Sequence, residues 1–167
     1  PHQWAGFIVR EFYNLGHMVE GAIAHYQATG KRSFLDIAIR YADCVCREIG
    51  DGPGQIVAVP GHQIAEMALA KLYLVTGDEK YLEQAKFFLD KRGYTSRKDK
   101  YSQAHKPVIE QDEAVGHAVR AAYMYSGMAD VAALTGDKSY IEAIDRIWEN
   151  IVTKKYYITG GIGATNH

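Results

Sequence analysis

The chain of 167 residues has only two cysteines and four prolines, and its charges nearly cancel. Its 19 basic residues face 20 acidic ones, which excludes the strongly basic surface typical of nucleic-acid-binding proteins. No apolar run approaches the ~20 residues needed to cross a bilayer, so we expect no membrane partner. Hydrophobic residues at 47% and charged residues at 23% are typical of a soluble globular domain.

Cys44 and Cys46 lie two residues apart in a helical pattern, where they point in different directions and do not easily form a disulfide. Two thiols are also too few for a structural zinc site. We interpret both as small apolar residues of a reducing compartment, which favours a cytoplasmic location. The first residues, Pro1-His2-Gln3-Trp4, show neither a start methionine nor a signal pattern, so we expect the chain to begin inside a longer gene product.

A Gly-His pair occurs three times, and each copy precedes a helical pattern, a Thr-Gly turn and a second helical pattern. After each turn an aromatic, an aliphatic and an acidic residue follow at fixed offsets: Phe34-Leu35-Asp36, Tyr81-Leu82-Glu83 and Tyr140-Ile141-Glu142. Such self-similarity predicts an all-α fold of three stacked helical hairpins, at about 14–50, 60–93 and 110–155. We expect Asn14 to cap the first helix and the first helices of the hairpins to form the inner ring of a double-layered toroid.

Two connections interrupt this repeat. Residues 94–107 are polar and basic and end at Pro107, and long connections of this kind are often functional. The glycine-rich stretch 156–163 lacks the lysine of a phosphate-binding loop and the strand–loop–helix frame of a dinucleotide site. We expect it to be a loop that closes toward the mouth of the toroid.

The three histidines of the Gly-His pairs, His17, His62 and His117, are the candidate ligand-binding residues. If the inner helices run parallel, their N-terminal ends gather at one mouth, and helix N-termini keep imidazoles neutral by lowering their pKa. A hydroxyl-rich ligand such as a sugar can use both ring nitrogens of each imidazole. The alternative is that each histidine merely anchors a turn between repeats. A three-histidine metal site is disfavoured because adjacent inner helices start roughly 8–10 Å apart.

Acid/base catalysis on a glycoside needs carboxylates, and none stands out here. Glu20 and Glu66 follow their histidines by three and four residues, and each is either a surface charge or a buried hydrogen-bonding group. His105 and the acidic stretch 110–113 precede the third Gly-His pair and lie within possible reach of the same mouth. We assign no catalytic residue and no metal ligand.

Several stretches, taken together and in this order, are those of a known family. They are Tyr13-Asn14-Leu15-Gly16-His17, His25-Tyr26-Gln27-Ala28-Thr29-Gly30-Lys31, Pro60-Gly61-His62-Gln63-Ile64-Ala65-Glu66, Glu113-Ala114-Val115-Gly116-His117-Ala118-Val119-Arg120 and Ile158-Thr159-Gly160-Gly161-Ile162-Gly163. The chain resembles glycoside hydrolase family 127, the β-L-arabinofuranosidases. The resemblance implies an (α/α)6 barrel of which this chain holds about three hairpins. It also implies that His17, His62 and His117 bind an arabinose-containing oligosaccharide or glycoconjugate.

The resemblance further implies a retaining mechanism with a zinc-bound cysteine as nucleophile and a glutamate as acid/base. In the family, one glutamate and three cysteines hold the zinc, and none of these has a counterpart here; Cys44 and Cys46 do not match them. We therefore expect the isolated chain to be inactive. Two alternatives remain: a helical-repeat scaffold that binds protein partners, and a zinc-independent (α/α) barrel such as a sugar epimerase or uronyl hydrolase. Open ends of the repeat stack also predict self-association.

Overall fold

The structure, a computed structural model, describes residues 8–163, which form α-helices and no β-strand beyond one isolated bridge between Ile49 and Ile56. The all-α prediction is confirmed. Six α-helices lie in this range: α1 Ile8–Thr29, α2 Ser33–Glu48, α3 Ala65–Thr76, α4 Glu79–Lys91, α5 Ala118–Thr135 and α6 Lys138–Lys154. A 3₁₀ turn, Val108–Glu110, interrupts the connection between α4 and α5. None of the described helices combines the length and hydropathy that a membrane-spanning segment needs.

The helices form three hairpins in two layers. Helix α3 packs between α1 and α5 to make the inner layer, while each of these helices also packs on its hairpin partner, α2, α4 or α6. The inner helix α3 is buried on most sides, at Ala65, Glu66, Ala68, Leu69, Ala70 and Leu72. The outer helix α6 buries one stripe, at Tyr140, Ala143, Ile147 and Ile151. A helix buried on most sides belongs to an inner layer, and a one-sided helix belongs to an outer layer.

Helix α1 begins earlier than its apolar pattern predicted. It starts at Ile8, so Asn14 lies inside the helix and does not cap it. The apolar stripe itself is as expected, because Leu15, Val19 and Ala22 are fully buried. Residues 1–7, which precede this helix, lie outside the described range.

The three Thr-Gly turns have the same geometry. Each threonine hydroxyl donates to the carbonyl four residues earlier at 2.7 Å, and each glycine has a φ of 70–72°. That left-handed conformation ends the first helix of each hairpin and strongly favours glycine. An aspartate then caps the second helix twice, Asp78 accepting from the Lys80 amide and Asp137 from the Ser139 amide.

The aromatic residue after each turn joins consecutive hairpins. The Tyr81 hydroxyl donates to Asp43 of α2 at 2.7 Å, and the Tyr140 hydroxyl donates to Asp90 of α4. Both tyrosine side chains are essentially buried. The equivalent residue of the first hairpin is Phe34, which lacks a hydroxyl and is 36% exposed. The sequence repeat therefore has a physical basis in one contact made between each hairpin and the next.

The long connection between α4 and α5 is held by buried polar side chains. Arg92, Gln103 and Gln111 are each fully buried in it. The Arg92 guanidinium donates to the carbonyls of Pro60 and Ser102, at 2.7 and 3.1 Å. The Gln103 side-chain amide donates to the Val115 carbonyl at 2.8 Å, and Gln111 donates to the Gln103 carbonyl at 2.8 Å. Because these bonds replace the missing helical ones, the connection is ordered without regular structure.

Candidate functional site

The three predicted histidines come from three different local settings. His17 lies in the middle of α1, His62 lies in the turn that precedes α3, and His117 caps the N-terminus of α5. The expectation that all three lie near helix starts is therefore wrong for His17. The apolar residues upstream of the Gly-His pair are also helical, so α1 starts at Ile8, well before His17.

Close contacts between backbone segments bring these three parts of the chain together. A Cβ on Gly16 would lie 3.0 Å from the carbonyl carbon of Ile64, so only glycine lets α1 approach the start of α3. Gly116 has a φ of 73° and lies against the backbone of Lys100 and Tyr101. That conformation lets the His117 amide donate to the Tyr101 carbonyl at 3.0 Å. Both Gly-His pairs thus need their glycine for packing.

The structure places the three histidine rings close together with Tyr13 and Tyr123, and we call these five residues the histidine cluster. The two tyrosines contact His17 and His62, while the His117 ring contacts His62 within the cluster and Tyr101 beside it. The centroids of the His62 and His117 rings are 6.0 Å apart. The Tyr13 ring is 4.4 Å from His17 and 4.8 Å from His62, and the Tyr123 ring is about 6 Å from the same two histidines. The three imidazoles therefore lie close together, as the repeat predicted. Tyr13 and Tyr123 were missed because no repeat marks them.

The cluster faces the open side of the inner layer. His17 is exposed, His62 and His117 are partly buried, and Tyr13 is 39% exposed. Neither the Tyr13 nor the Tyr123 hydroxyl bonds to another residue within 8–163. Aromatic edges and free phenols at a half-exposed surface suit a ligand with both apolar and hydroxyl groups.

Electrostatics favour neutral imidazole at His62. Burial lowers the pKa of His62 from its ordinary value, and the nearby charge of Arg120 lowers it further, while the hydrogen bond to the Gln63 carbonyl acts in the opposite direction. The expected cause was a helix N-terminus; the main cause is the loss of contact with water. A neutral imidazole both donates and accepts a hydrogen bond.

Arg120 joins the segments that carry His62 and His117, and sequence reasoning missed it. Its guanidinium lies over the Tyr101 ring, 4.8 Å from the centroid, and donates to the Gly61 carbonyl. Its backbone amide donates to Nδ1 of His117 at 3.4 Å. This arginine lies three residues after His117, at the position where a helix-capping side chain meets the backbone, and it ends the stretch 113–120 that carries part of the family resemblance.

The candidate carboxylates do not form an acid/base pair. Glu66 is fully buried, where it accepts from the Arg92 guanidinium at 3.2 Å and from the Ile64 amide. Glu20 is paired with Lys71 at 2.8 Å. Two of the acidic residues upstream of His117 are also paired, Asp112 with Lys106 and Glu113 with Lys155. Of the two readings left open for Glu66, the buried hydrogen-bonding group is correct.

His105 and the glycine-rich stretch lie outside the histidine cluster. Burial lowers the pKa of His105, and the charges of Lys106 and Lys100 lower it further. The stretch 156–163 forms a turn in which the Gly160 amide donates to the Tyr157 carbonyl at 2.8 Å. Its end reaches the first turn of α5, since a Cβ on Gly163 would lie 2.9 Å from the Ala118 Cβ. A cleft of about 610 Å³ separates this loop from the helices, lined by Tyr101, Gly116, Ala121, Tyr156 and Ile162 among others.

The cysteines do not fit the zinc site of the resembled family. Cys46 is partly buried on α2, and burial raises the pKa of its thiol to about 12. Cys44 Sγ lies 3.4 Å from the Arg47 guanidinium on the outer helix α2. Within residues 8–163 no three histidine, cysteine, aspartate or glutamate side chains are grouped to hold a metal ion. The function proposed below therefore does not depend on zinc held by these residues.

Comparisons with known proteins agree on one family. The family model of the β-L-arabinofuranosidase GH127 catalytic domain matches residues 1–167. A non-reducing end β-L-arabinofuranosidase of Bifidobacterium longum subsp. longum is 38% identical over 93% of the chain, which spans 27% of that protein.

Solved structures show the same relation. A GH127 β-arabinofuranosidase superposes with a TM-score of 0.93 at 78% identity, covering 98% of this chain and 27% of its own. The GH127 β-L-arabinofuranosidase of Geobacillus stearothermophilus T6 superposes with a TM-score of 0.92 at 43% identity, covering 98% and 29%. The chain thus spans between a quarter and a third of these relatives. Its fold and sequence both place it in the GH127 β-L-arabinofuranosidase family, to which it belongs as part of the catalytic domain.

Proposed function

We propose that this chain is the part of a GH127 (α/α)6 barrel that binds the L-arabinofuranosyl group of an arabinose-containing oligosaccharide or glycoconjugate. His17, His62 and His117 contact the sugar in this proposal. The observation that supports it best is the histidine cluster, in which three separate segments of the inner layer bring their imidazoles to one half-exposed surface. A mere turn anchor at each repeat needs no such convergence.

The chemistry of the cluster suits an uncharged sugar. A neutral imidazole and a phenol each donate and accept, as a sugar hydroxyl does. The nearby cation, Arg120, already donates through one guanidinium nitrogen to the Gly61 carbonyl and lies over the Tyr101 ring, which holds it in place beside the cluster. Glu20 and Glu66 are held in ion pairs. In this proposal, the nucleophile, the acid/base and the zinc ligands of the family mechanism lie outside residues 1–167.

The test is kinetic and uses the full-length protein that contains this chain. Changing His17, His62 and His117 together to alanine should lower kcat/KM on an aryl β-L-arabinofuranoside by about 10- to 2,000-fold, since each of the three lost hydrogen bonds costs about 0.5–1.5 kcal/mol. His25→Ala is the matched control, because His25 lies on the same helix as His17 but contacts Phe34 instead of the cluster. That control should keep kcat/KM within about twofold of the wild type.

Two outcomes would contradict the proposal. Unchanged hydrolysis in the triple variant would favour a scaffold role for these repeats. Hydrolysis by the isolated 167-residue chain, with or without added zinc, would show that the catalytic groups lie within it.

A further inference from the structure

The backbone around His62 fixes which of its ring nitrogens carries the proton. Nδ1 of His62 lies 2.8 Å from the carbonyl oxygen of Gln63. A carbonyl oxygen only accepts, so the proton of this hydrogen bond belongs to Nδ1. In a neutral imidazole the other nitrogen, Nε2, is then unprotonated and accepts. Burial lowers the pKa of His62 most, the Gln63 hydrogen bond opposes this, and the charges of Arg120, His117 and His17 lower the pKa further, so the net direction favours the neutral form.

The backbone around His117 fixes the opposite arrangement. Nδ1 of His117 accepts from the backbone amide of Arg120 at 3.4 Å, as the N-cap of α5. A nitrogen that accepts carries no proton, so in His117 the proton lies on Nε2, which therefore donates. The Arg120 amide cannot change this role, because a backbone N–H only donates.

We infer that His62 and His117 are held in opposite tautomers and together bind one hydroxyl group of the sugar. In this arrangement Nε2–H of His117 donates to the hydroxyl oxygen, and the hydroxyl hydrogen is donated to Nε2 of His62. This inference rests on the proposed function for the identity of the ligand, while the tautomers themselves follow from this chain's backbone.

The positions of the two rings support a shared hydroxyl. Their centroids are 6.0 Å apart and the rings are inclined by 68°. Neither Nε2 bonds to another residue in the described range, and neither is a buried atom without a partner, so both are open to a ligand. At this centroid separation, two Nε2 atoms on the facing sides of the rings can both reach one hydroxyl oxygen at 2.7–3.2 Å.

The pair would select strictly for a hydroxyl. An ether or a fluorine accepts but does not donate, so it would satisfy His117 and leave Nε2 of His62 unpaired. A site built around a hydroxyl rejects analogues that lack it because its own polar groups are then left without partners. Arg120 is the positioning residue of the pair, since its amide sets the His117 tautomer and its side chain holds the Gly61 carbonyl beside His62.

The first test is a ¹⁵N NMR spectrum of the full-length protein labelled at histidine, recorded without ligand at a pH well above the ordinary histidine pKa of ~6.5. His62→Gln and His117→Gln assign the two sets of signals by their loss. We expect Nδ1 of His62 and Nε2 of His117 to give the shifts of protonated nitrogens, and their ring partners to give those of unprotonated ones. The same tautomer in both rings would overturn the inference.

The second test compares aryl β-L-arabinofuranosides that each lack one hydroxyl, or carry fluorine in its place. Removal of the shared hydroxyl should lower the wild-type kcat/KM about 2- to 13-fold more than it does in His62→Phe or His117→Phe, because each variant has already lost one of the two bonds, worth about 0.5–1.5 kcal/mol. Fluorine should restore most of the loss in His62→Phe, where only His117 needs an acceptor, and a smaller share of it in the wild type, where Nε2 of His62 stays unpaired. If the two histidines couple to different hydroxyls, or to none, the shared hydroxyl is disproved.

The two tests separate this inference from the proposed function. A full-length protein that hydrolyses no arabinofuranoside would contradict the proposed function and the sugar hydroxyl with it. Opposite tautomers in the ligand-free spectrum would still support the backbone argument in that case. Hydrolysis by a protein with identical tautomers would support the proposed function and overturn the inference.

Discussion

Replacing Arg92 by methionine should lower the free energy of unfolding of the chain by about 3–5 kcal/mol, the cost of leaving a buried charge without its partner. Arg92 and Glu66 are both fully buried, with Nη2 of Arg92 3.2 Å from Oε1 of Glu66. Burial lowers the pKa of Arg92, and the charge and hydrogen bond of Glu66 oppose that shift. The variant also removes the donor to the carbonyls of Pro60 and Ser102. Urea denaturation followed by circular dichroism measures the loss.

Two controls separate the buried charge from the loss of packing. Lys71→Met breaks the ion pair between Lys71, whose side chain is 40% exposed, and Glu20, whose side chain is 25% exposed. It should lower the free energy of unfolding by no more than about 1 kcal/mol. The double variant Glu66→Gln/Arg92→Met removes both charges and should be more stable than Arg92→Met alone. If the double variant is the less stable of the two, the unpaired carboxylate is not the cause.

Replacing Gly116 by alanine should destabilise the chain by about 2–5 kcal/mol, through backbone strain and a steric clash together. Gly116 has a φ of 73°, and a Cβ there would lie 2.7 Å from the Tyr101 Cα and closer still to the Lys100 carbonyl oxygen. Relief of that clash would move His117, whose amide bonds to Tyr101. We therefore expect a lower thermal midpoint and a weaker affinity of the full-length protein for its sugar.

Gly136 is the matched control for this substitution. Its φ is 72°, yet a Cβ there would meet nothing within 4 Å. Gly136→Ala should therefore cost only the strain of the left-handed conformation, about 1–2 kcal/mol, and leave sugar affinity unchanged. Equal effects of the two substitutions would show that the contact with Lys100 and Tyr101 does not matter.

The repeat could be predicted from the sequence because it depends on local chemistry. The turn at Thr76-Gly77 needs a left-handed glycine and a threonine that bonds four residues back, and both requirements are visible in the residue types. The start of α1 could not be predicted in the same way. Its first residues, from Ile8 on, lack the clean period that marked the rest of the helix.

Contacts between distant segments limited the prediction of the site. Glu66 was ambiguous in the sequence because its partner, Arg92, lies 26 residues away across a hairpin. Tyr13 and Tyr123 belong to the cluster through the packing of α1, α3 and α5, and no spacing rule connects them. The histidines were found because the Gly-His pair repeats, although the repeat placed His17 at a helix start that it does not occupy.

The central claim is that His17, His62 and His117 hold the L-arabinofuranosyl group, and a titration of the histidine-labelled full-length protein with L-arabinose tests it most directly. His25 serves as the internal reference, since it lies eight residues beyond His17 on α1, about 12 Å away along the helix. The account predicts that the ring signals of His17, His62 and His117 move along one saturation curve while those of His25 stay in place. Saturable binding that leaves all three signals unmoved would contradict it.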